Sequence, residues 1–329
     1  MLDYKPVHLC YFPTLTVFVD DQQDFLDSIK YRFNNSNLIC FSNQKDALNY
    51  IKSNFSKSLW YFDKIKPIEE EIHNHKRIEY NLSHLFQKIQ DNERFNIITS
   101  VIVDYDMPEM NGIEFAKNLK ACDIDIDIYL LTGAADERIA VDAFNENLIK
   151  GYIPKLKDDT NSIILKSISN SSSDYFNKIT NTLLNLHIIN NKSILLKDEF
   201  KKFFKSLTYR YNIVEYYLND LDLYFILIDN EGNLNLLFIY SKSHLNSIYR
   251  LGSYEGLPPD VLKDLKSKNK MICFYNLEGD TFSFLKDYKK YICDSKKLKI
   301  GNDTYYYKFI KEIKFNKKYL TYNKFMELK

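Results

Sequence analysis

The chain has 329 residues, 45% of them hydrophobic and 15% aromatic, enough to bury substantial cores in about two domains. Its net charge of +1 is unevenly divided, with a net −8 over residues 1–150 and +9 over residues 151–329, which points to two units with different partners. No apolar run approaches the roughly 20 residues of a membrane-spanning helix and the N-terminus lacks the basic-then-apolar order of a secretory signal, so a cytoplasmic chain with no membrane partner is expected.

The first half alternates strands and helices. Leu15 to Val19 is a β-branched and aromatic run that stops at Asp20-Asp21, and Asp24 to Phe33 follows with helical spacing through Phe25, Ile29 and Phe33. Leu38 to Phe41 fits a second strand, with Ser42 as the cap of a helix whose apolar side is Ala47, Leu48, Ile51 and Phe55. Ile97 to Val103, Ile126 to Leu131 and Lys150 to Ile153 are the third, fourth and fifth strands. This rhythm calls for a parallel sheet covered on both faces, with right-handed crossovers that gather every strand's carboxyl end along one edge.

That edge is where an open α/β sheet binds its ligands. Asp20, Asp21, Asp104, Thr132 and Lys155 all fall there. Three carboxylates so close are costly unless a cation sits among them, and hard oxygen ligands in that number suit Mg²⁺. A hydroxyl and a lysine across the crevice then serve a group more charged than a carboxylate, such as a phosphoryl group on one of the aspartates.

The set Asp20-Asp21, Asp104 with Met107-Pro108 and Gly112, Leu131-Thr132-Gly133, and Gly151-Tyr152-Ile153-Pro154-Lys155 resembles the receiver domain of two-component response regulators over about residues 10 to 168. The resemblance implies a flavodoxin-like, doubly wound α/β domain with five parallel strands. It further implies that Asp104 accepts a phosphoryl group from a sensor histidine kinase or phosphotransfer protein. Asp20, Asp21, Asp104 and the backbone carbonyl of Asp106 would hold Mg²⁺; Thr132 and Lys155 would meet the phosphoryl group, and Tyr152 would be the aromatic that changes rotamer. Receivers usually follow the lysine with a cis proline. Here Pro154 precedes Lys155 and Leu156 follows, so that bond is expected to be trans or the loop strained, since a cis bond to leucine costs roughly 2.5–4 kcal/mol.

The receiver is expected over residues 1–168, interrupted by an insertion at about 56–95 far longer than the usual helix-to-strand connection. Ile68 to Ile89 reads as helix within it, through Ile68, Ile72, Leu82, Leu85, Phe86 and Ile89. Its His73, His75 and His84 make a weak metal pattern. A closing helix through Ile163, Ile164 and Ile168 precedes a polar linker at 169–175, centred on Ser169 to Ser173.

Residues 176–329 are expected to form an α+β output domain. Leu183 to Ile189 and Phe200 to Leu207 look helical; Leu223 to Ile228 and Leu234 to Tyr240 form a hairpin about Asn230-Glu231-Gly232-Asn233. A helix starts at Asp260, and strands are expected at Met271 to Tyr275 and Thr304 to Ile310. Tyr305 to Lys318 interleaves aromatics with lysines, which can stack bases and hold phosphates but also describes a strand with one buried face. Asp220, Asp222 and Gly252-Ser253 faintly resemble nucleotidyltransferase elements in reversed order. The whole architecture is similar to some quorum-sensing response regulators.

The leading expectation is thus phosphorylation-controlled homodimerisation or protein binding, with no independent enzyme. A nucleic-acid-binding output and a nucleotidyltransferase-like output are the alternatives. The five cysteines, Cys10, Cys40, Cys122, Cys273 and Cys293, lack any CxxC pair and read as reduced thiols.

Overall fold

The computed structural model describes residues 7–34, 36–55, 67–72, 75–80, 88–133, 137–155, 157–185, 192–220, 224–275, 284–314 and 319–328. The chain divides into two compact units. One comprises residues 12–64 and 92–179, and the other residues 1–11, 65–91 and 180–329.

In the first unit, strands β1 (Leu15–Val19), β2 (Leu38–Phe41), β3 (Ile98–Asp104), β4 (Asp127–Thr132) and β5 (Gly151–Pro154) form a parallel sheet in the order β2-β1-β3-β4-β5. Helices α1 (Gln23–Arg32), α2 (Gln44–Phe55), α3 (Gly112–Lys120), α4 (Glu137–Asn145) and α5 (Thr160–Asn185) connect or follow the strands. The three central strands are apolar on both faces because both are covered. Val17, Val101 and Leu130 pack in one cluster with Phe115 and Ala140, while Phe18, Ile102 and Leu131 pack on the other side with Leu26 and Ile164. This is the doubly wound five-stranded arrangement the sequence predicts.

Three local expectations change. The cap of α2 is Asn43 rather than Ser42: its Oδ1 accepts from the backbone N–H groups of Lys45 at 2.9 Å and Asp46 at 3.1 Å. The serine-rich stretch at 169–175 is not a linker but the middle of α5, which runs unbroken for 26 residues. Ser167 and Ser171 occupy the buried stripe between Ile164 and Phe176, and Ser171 Oγ lies 3.1 Å from Tyr129 Oη. Composition mimicked a linker because small hydroxyls replace large apolar groups where the helix lies against the sheet. The division between the units falls after Ile179.

The third change concerns Ile68 to Ile89. Strands Pro67–Ile72 and His75–Tyr80 pair antiparallel there, and Lys88–Gln90 is a 3₁₀ turn. An interval of four residues, as from Ile68 to Ile72, fits one helical turn and also two strand repeats, so spacing alone misled. The register sets Glu70 opposite Arg77 and Glu71 opposite Lys76. His73 and His84 lie outside the described residues.

The second unit is built on a six-stranded antiparallel sheet in the order Cys10–Tyr11, Ile213–Asp220, Tyr224–Asp229, Leu234–Ser241, Asp303–Ile310 and Lys296–Ile300. The expected hairpin is present. Asp229 Oδ1 accepts from the N–H groups of Glu231 at 3.1 Å and Asn233 at 2.8 Å, and Gly232 takes the positive φ of 86° that the turn requires. Helix Asp198–Arg210 buries Phe200, Phe204 and Leu207, with Phe204 packed 4.8 Å from Phe225. The helix expected from Asp260 spans Pro259–Ser267, and the strand expected at Met271 is the short Lys270–Ile272, paired with Ile292–Asp294. That pairing brings together two cysteines distant in sequence: Cys273 Sγ and Cys293 Sγ are 3.3 Å apart as free thiols.

Candidate functional site

The parallel sheet delivers its polar residues to one edge by continuing its ladder one step past each strand. Asp20 N–H donates to Phe41 O at 3.2 Å, Tyr105 N–H to Leu131 O at 2.9 Å, and Lys155 N–H to Thr132 O at 2.9 Å. Asp20, Asp104 and Lys155 are therefore held on rails of backbone hydrogen bonds rather than on free loops.

Lys155 sits between two carboxylates. Its Nζ is 2.8 Å from Asp104 Oδ2 and 2.9 Å from Asp20 Oδ2, and it also lies 5.1 Å from the centre of the Phe25 ring, a cation–π contact that sequence reasoning missed. Asp20 is 0% exposed and Asp104 3%. Burial pushes the Asp104 carboxyl up to about 6; Lys155 pulls it down, and the neighbouring Asp20 adds to the rise. Burial likewise works against the Lys155 ammonium, yet its two carboxylate partners raise its pKa above the usual lysine range.

One lysine does not balance this group of acids. Asp20, Asp21 and Asp104 each offer a carboxylate oxygen, and these oxygens lie within 4.8 Å of one another. Asp21 Oδ1 is buried without a hydrogen-bond donor, a costly state for a carboxylate oxygen unless a cation meets it. Three hard oxygen donors with no histidine or cysteine ligand among them fit Mg²⁺.

The loop after Asp104 is shaped by a glycine. A Cβ at Gly112 would collide with the backbone carbonyl of Asp104 and with the Leu130 side chain, so α3 can start this close to the strand only with glycine there. Gly112 N–H donates to Tyr105 O at 3.0 Å. Asn111 and Glu114 close a capping box on α3. Gln44 Nε2 donates to Pro108 O at 3.0 Å, and Lys45 Nζ pairs with Glu109 at 2.8 Å. Nothing in the spacing of Gln44 signals that role, since its partner is a backbone carbonyl 64 residues away.

Thr132, 2% exposed, ends β4 opposite Pro154. Tyr152 lies on β5 opposite Leu130, half-buried against the core cluster. Asp106 is exposed in the loop after β3. The Lys155–Leu156 peptide involves a position outside the described residues, as does Asp222. Gly252 and Ser253 do not form a phosphate loop: they belong to the last turn of helix Lys242–Tyr254, and Gly252 is buried against Leu257. Among the described residues, Asp20, Asp21 and Asp104 form the one such acidic group, and no helix is long and apolar enough to cross a membrane.

Residues 79–165 match the response regulator receiver domain family. The matched span holds Asp104, Thr132, Tyr152 and Lys155 and omits Asp20 and Asp21, which precede the insertion. The structure of the Legionella pneumophila response regulator LqsR is similar over 98% of this chain and 95% of that one, at 27% identity and a TM-score of 0.76. A response regulator receiver domain protein from Clostridium thermocellum covers 49% of this chain and 95% of its own, at 17% identity and a TM-score of 0.34. A Francisella response regulator receiver domain covers 49% and 98%, at 15% identity and a TM-score of 0.32. No curated protein matches the chain.

Proposed function

Because the chain carries a response regulator receiver domain and has the architecture of a two-component response regulator, we propose that it is a phosphorylation switch in the cytoplasm whose phosphoacceptor is Asp104. The observation that carries this reading is the Lys155 ammonium bridging Asp104 and Asp20 at 2.8 and 2.9 Å beside the unpartnered Asp21 oxygen.

The Asp104 carboxylate attacks the phosphorus of a phosphohistidine on a sensor kinase or phosphotransfer protein. The new P–O bond forms as the P–N bond breaks, and the imidazole leaves with its electron pair and is protonated. Lys155 already touches the accepting carboxylate and follows the charge onto the transferred oxygens. Mg²⁺, held by Asp20, Asp21, Asp104 and the Asp106 carbonyl, would neutralise phosphoryl charge and orient the group. Thr132, at the end of the strand beside Asp104, donates its hydroxyl to the phosphoryl group, and Tyr152 moves into the space it leaves.

The second unit reads out this change by self-association or by binding a protein partner, in a quorum-sensing or similar circuit. Light scattering in Mg²⁺ with and without beryllofluoride, which mimics the acyl phosphate, tests that output. A rise from monomer to dimer in the wild type and none in Asp104→Asn is expected; no change in the wild type contradicts the self-association output.

A further inference from the structure

The second unit holds a feature that the phosphorylation switch does not use. Arg210 at the end of its helix, Lys311 just after strand Asp303–Ile310 and Lys296 on the neighbouring strand, opposite Tyr307, surround a cavity of about 400 Å³; Lys308, between Tyr307 and Phe309, points to the sheet's other face beside Phe238. No aspartate or glutamate lines it, and among the described residues none of these three cations has an acidic partner. Three like charges around one hollow repel each other and lower the cost of taking in an anion.

The helix terminus does not account for them. Tyr211 N–H donates to Leu207 O at 3.1 Å and Asn212 N–H to Tyr209 O at 3.3 Å, so the last turn closes on its own backbone.

Aromatic faces stand beside the charges. Tyr211 and Phe309 stack with ring centres 4.3 Å apart and planes 25° from parallel. Lys311 Nζ lies 4.5 Å over Tyr211, and Phe203 meets Tyr307 edge-on at 4.8 Å. Tyr211, Tyr307 and Phe309 are half-buried, so part of each ring remains open. Cations alone would suit any small anion. Cations beside a stacked aromatic wall suit an anion that also carries a planar ring, and the volume is within the range of small-molecule sites.

We infer that this cavity binds a nucleoside phosphate, with Arg210, Lys296 and Lys311 holding phosphate oxygens and the Tyr211–Phe309 stack receiving the base. A free nucleotide and a unit of a single strand both offer that chemistry. The inference stands apart from the Asp104 switch, and Asp104→Asn is expected to leave binding unchanged.

The test uses the full chain in EDTA, which keeps metal-bound phosphate out of the carboxylate crevice. Two probes are titrated by fluorescence: N-methylanthraniloyl-ATP and a short fluorescein-labelled oligouridylate. At least one binds, and Lys296→Gln with Lys311→Gln weakens it about tenfold or more, as does Tyr211→Leu, with unchanged circular dichroism melts. Binding of the ATP probe identifies a free nucleotide; binding of the oligouridylate alone, steeply salt-dependent, identifies a strand. If these variants unfold, Arg210→Gln alone replaces them. The inference is overturned if neither probe binds at millimolar protein, if folded variants bind as the wild type does, or if tripolyphosphate displaces the probe as well as ATP does.

Discussion

Lys155 Nζ stands 2.8 Å from Asp104 Oδ2, and this ion pair joins the end of one strand to the residue that follows another. It holds a buried carboxylate in place and neutralises part of its charge. It also leaves the site short of positive charge, since Asp20 and Asp21 share the same crevice.

Removing the lysine exposes that shortage. With Lys155→Met, Asp20 and Asp104 face each other buried and unpaired, at a cost of about 3 kcal/mol at neutral pH without metal. Urea denaturation in EDTA at pH 7.5 measures it. Millimolar Mg²⁺ is expected to restore part of the loss, since a ligand bound only by the folded state stabilises it; an unchanged midpoint in EDTA speaks against the ion pair.

Asp104→Asn has the opposite sign. Burial raises the Asp104 carboxyl from 3.8 to about 6, so the folded state binds the proton more tightly than the unfolded chain. The resulting stability is fully present below the unfolded value and is withdrawn as pH rises through about 6. At pH 7.5 in EDTA the wild type therefore carries a buried charge that the asparagine lacks. The variant is expected to be more stable by about 1–2 kcal/mol, less than the shift alone would give because it forfeits the Lys155 pair. The gain should vanish below about pH 4, where the carboxyl is protonated in both states. Paired urea titrations across that range check the sign.

Gly112→Ala tests the close approach behind the site. The new methyl must displace either the Asp104 carbonyl or Leu130, at about 1–3 kcal/mol. A lowered melting temperature and slower phosphorylation by acetyl phosphate are expected together, because the displaced carbonyl belongs to Asp104, the proposed phosphoacceptor.

Ser172→Pro separates helix from linker. A proline in the middle of a continuous α5 costs about 3 kcal/mol or more, whereas a flexible connection would accept it. Thermal melts and proteolysis rates read the difference.

The parallel sheet was legible because its strands are short, apolar and each stopped by a polar residue. The carboxylate crevice was legible because Asp20, Asp21, Asp104 and Lys155 all fall at such stops. The Phe25 ring under Lys155 and the Gln44 contact with Pro108 were not, since each depends on how α1 and α2 pack rather than on any local pattern. The serines of α5 misled through composition, and the insertion misled through an interval shared by two periodicities. In the second unit the hairpin at Gly232 was clear, while helix Lys242–Tyr254 was hidden by the glycine and serine in its last turn.

The most direct measurement is intact-mass spectrometry after treatment with acetyl phosphate and Mg²⁺, followed by peptide mapping. The account predicts the gain of one phosphoryl group on wild-type protein, mapped to Asp104, and none on Asp104→Asn. A gain that persists in the variant, or no gain on the folded wild type with Mg²⁺ present, would contradict it.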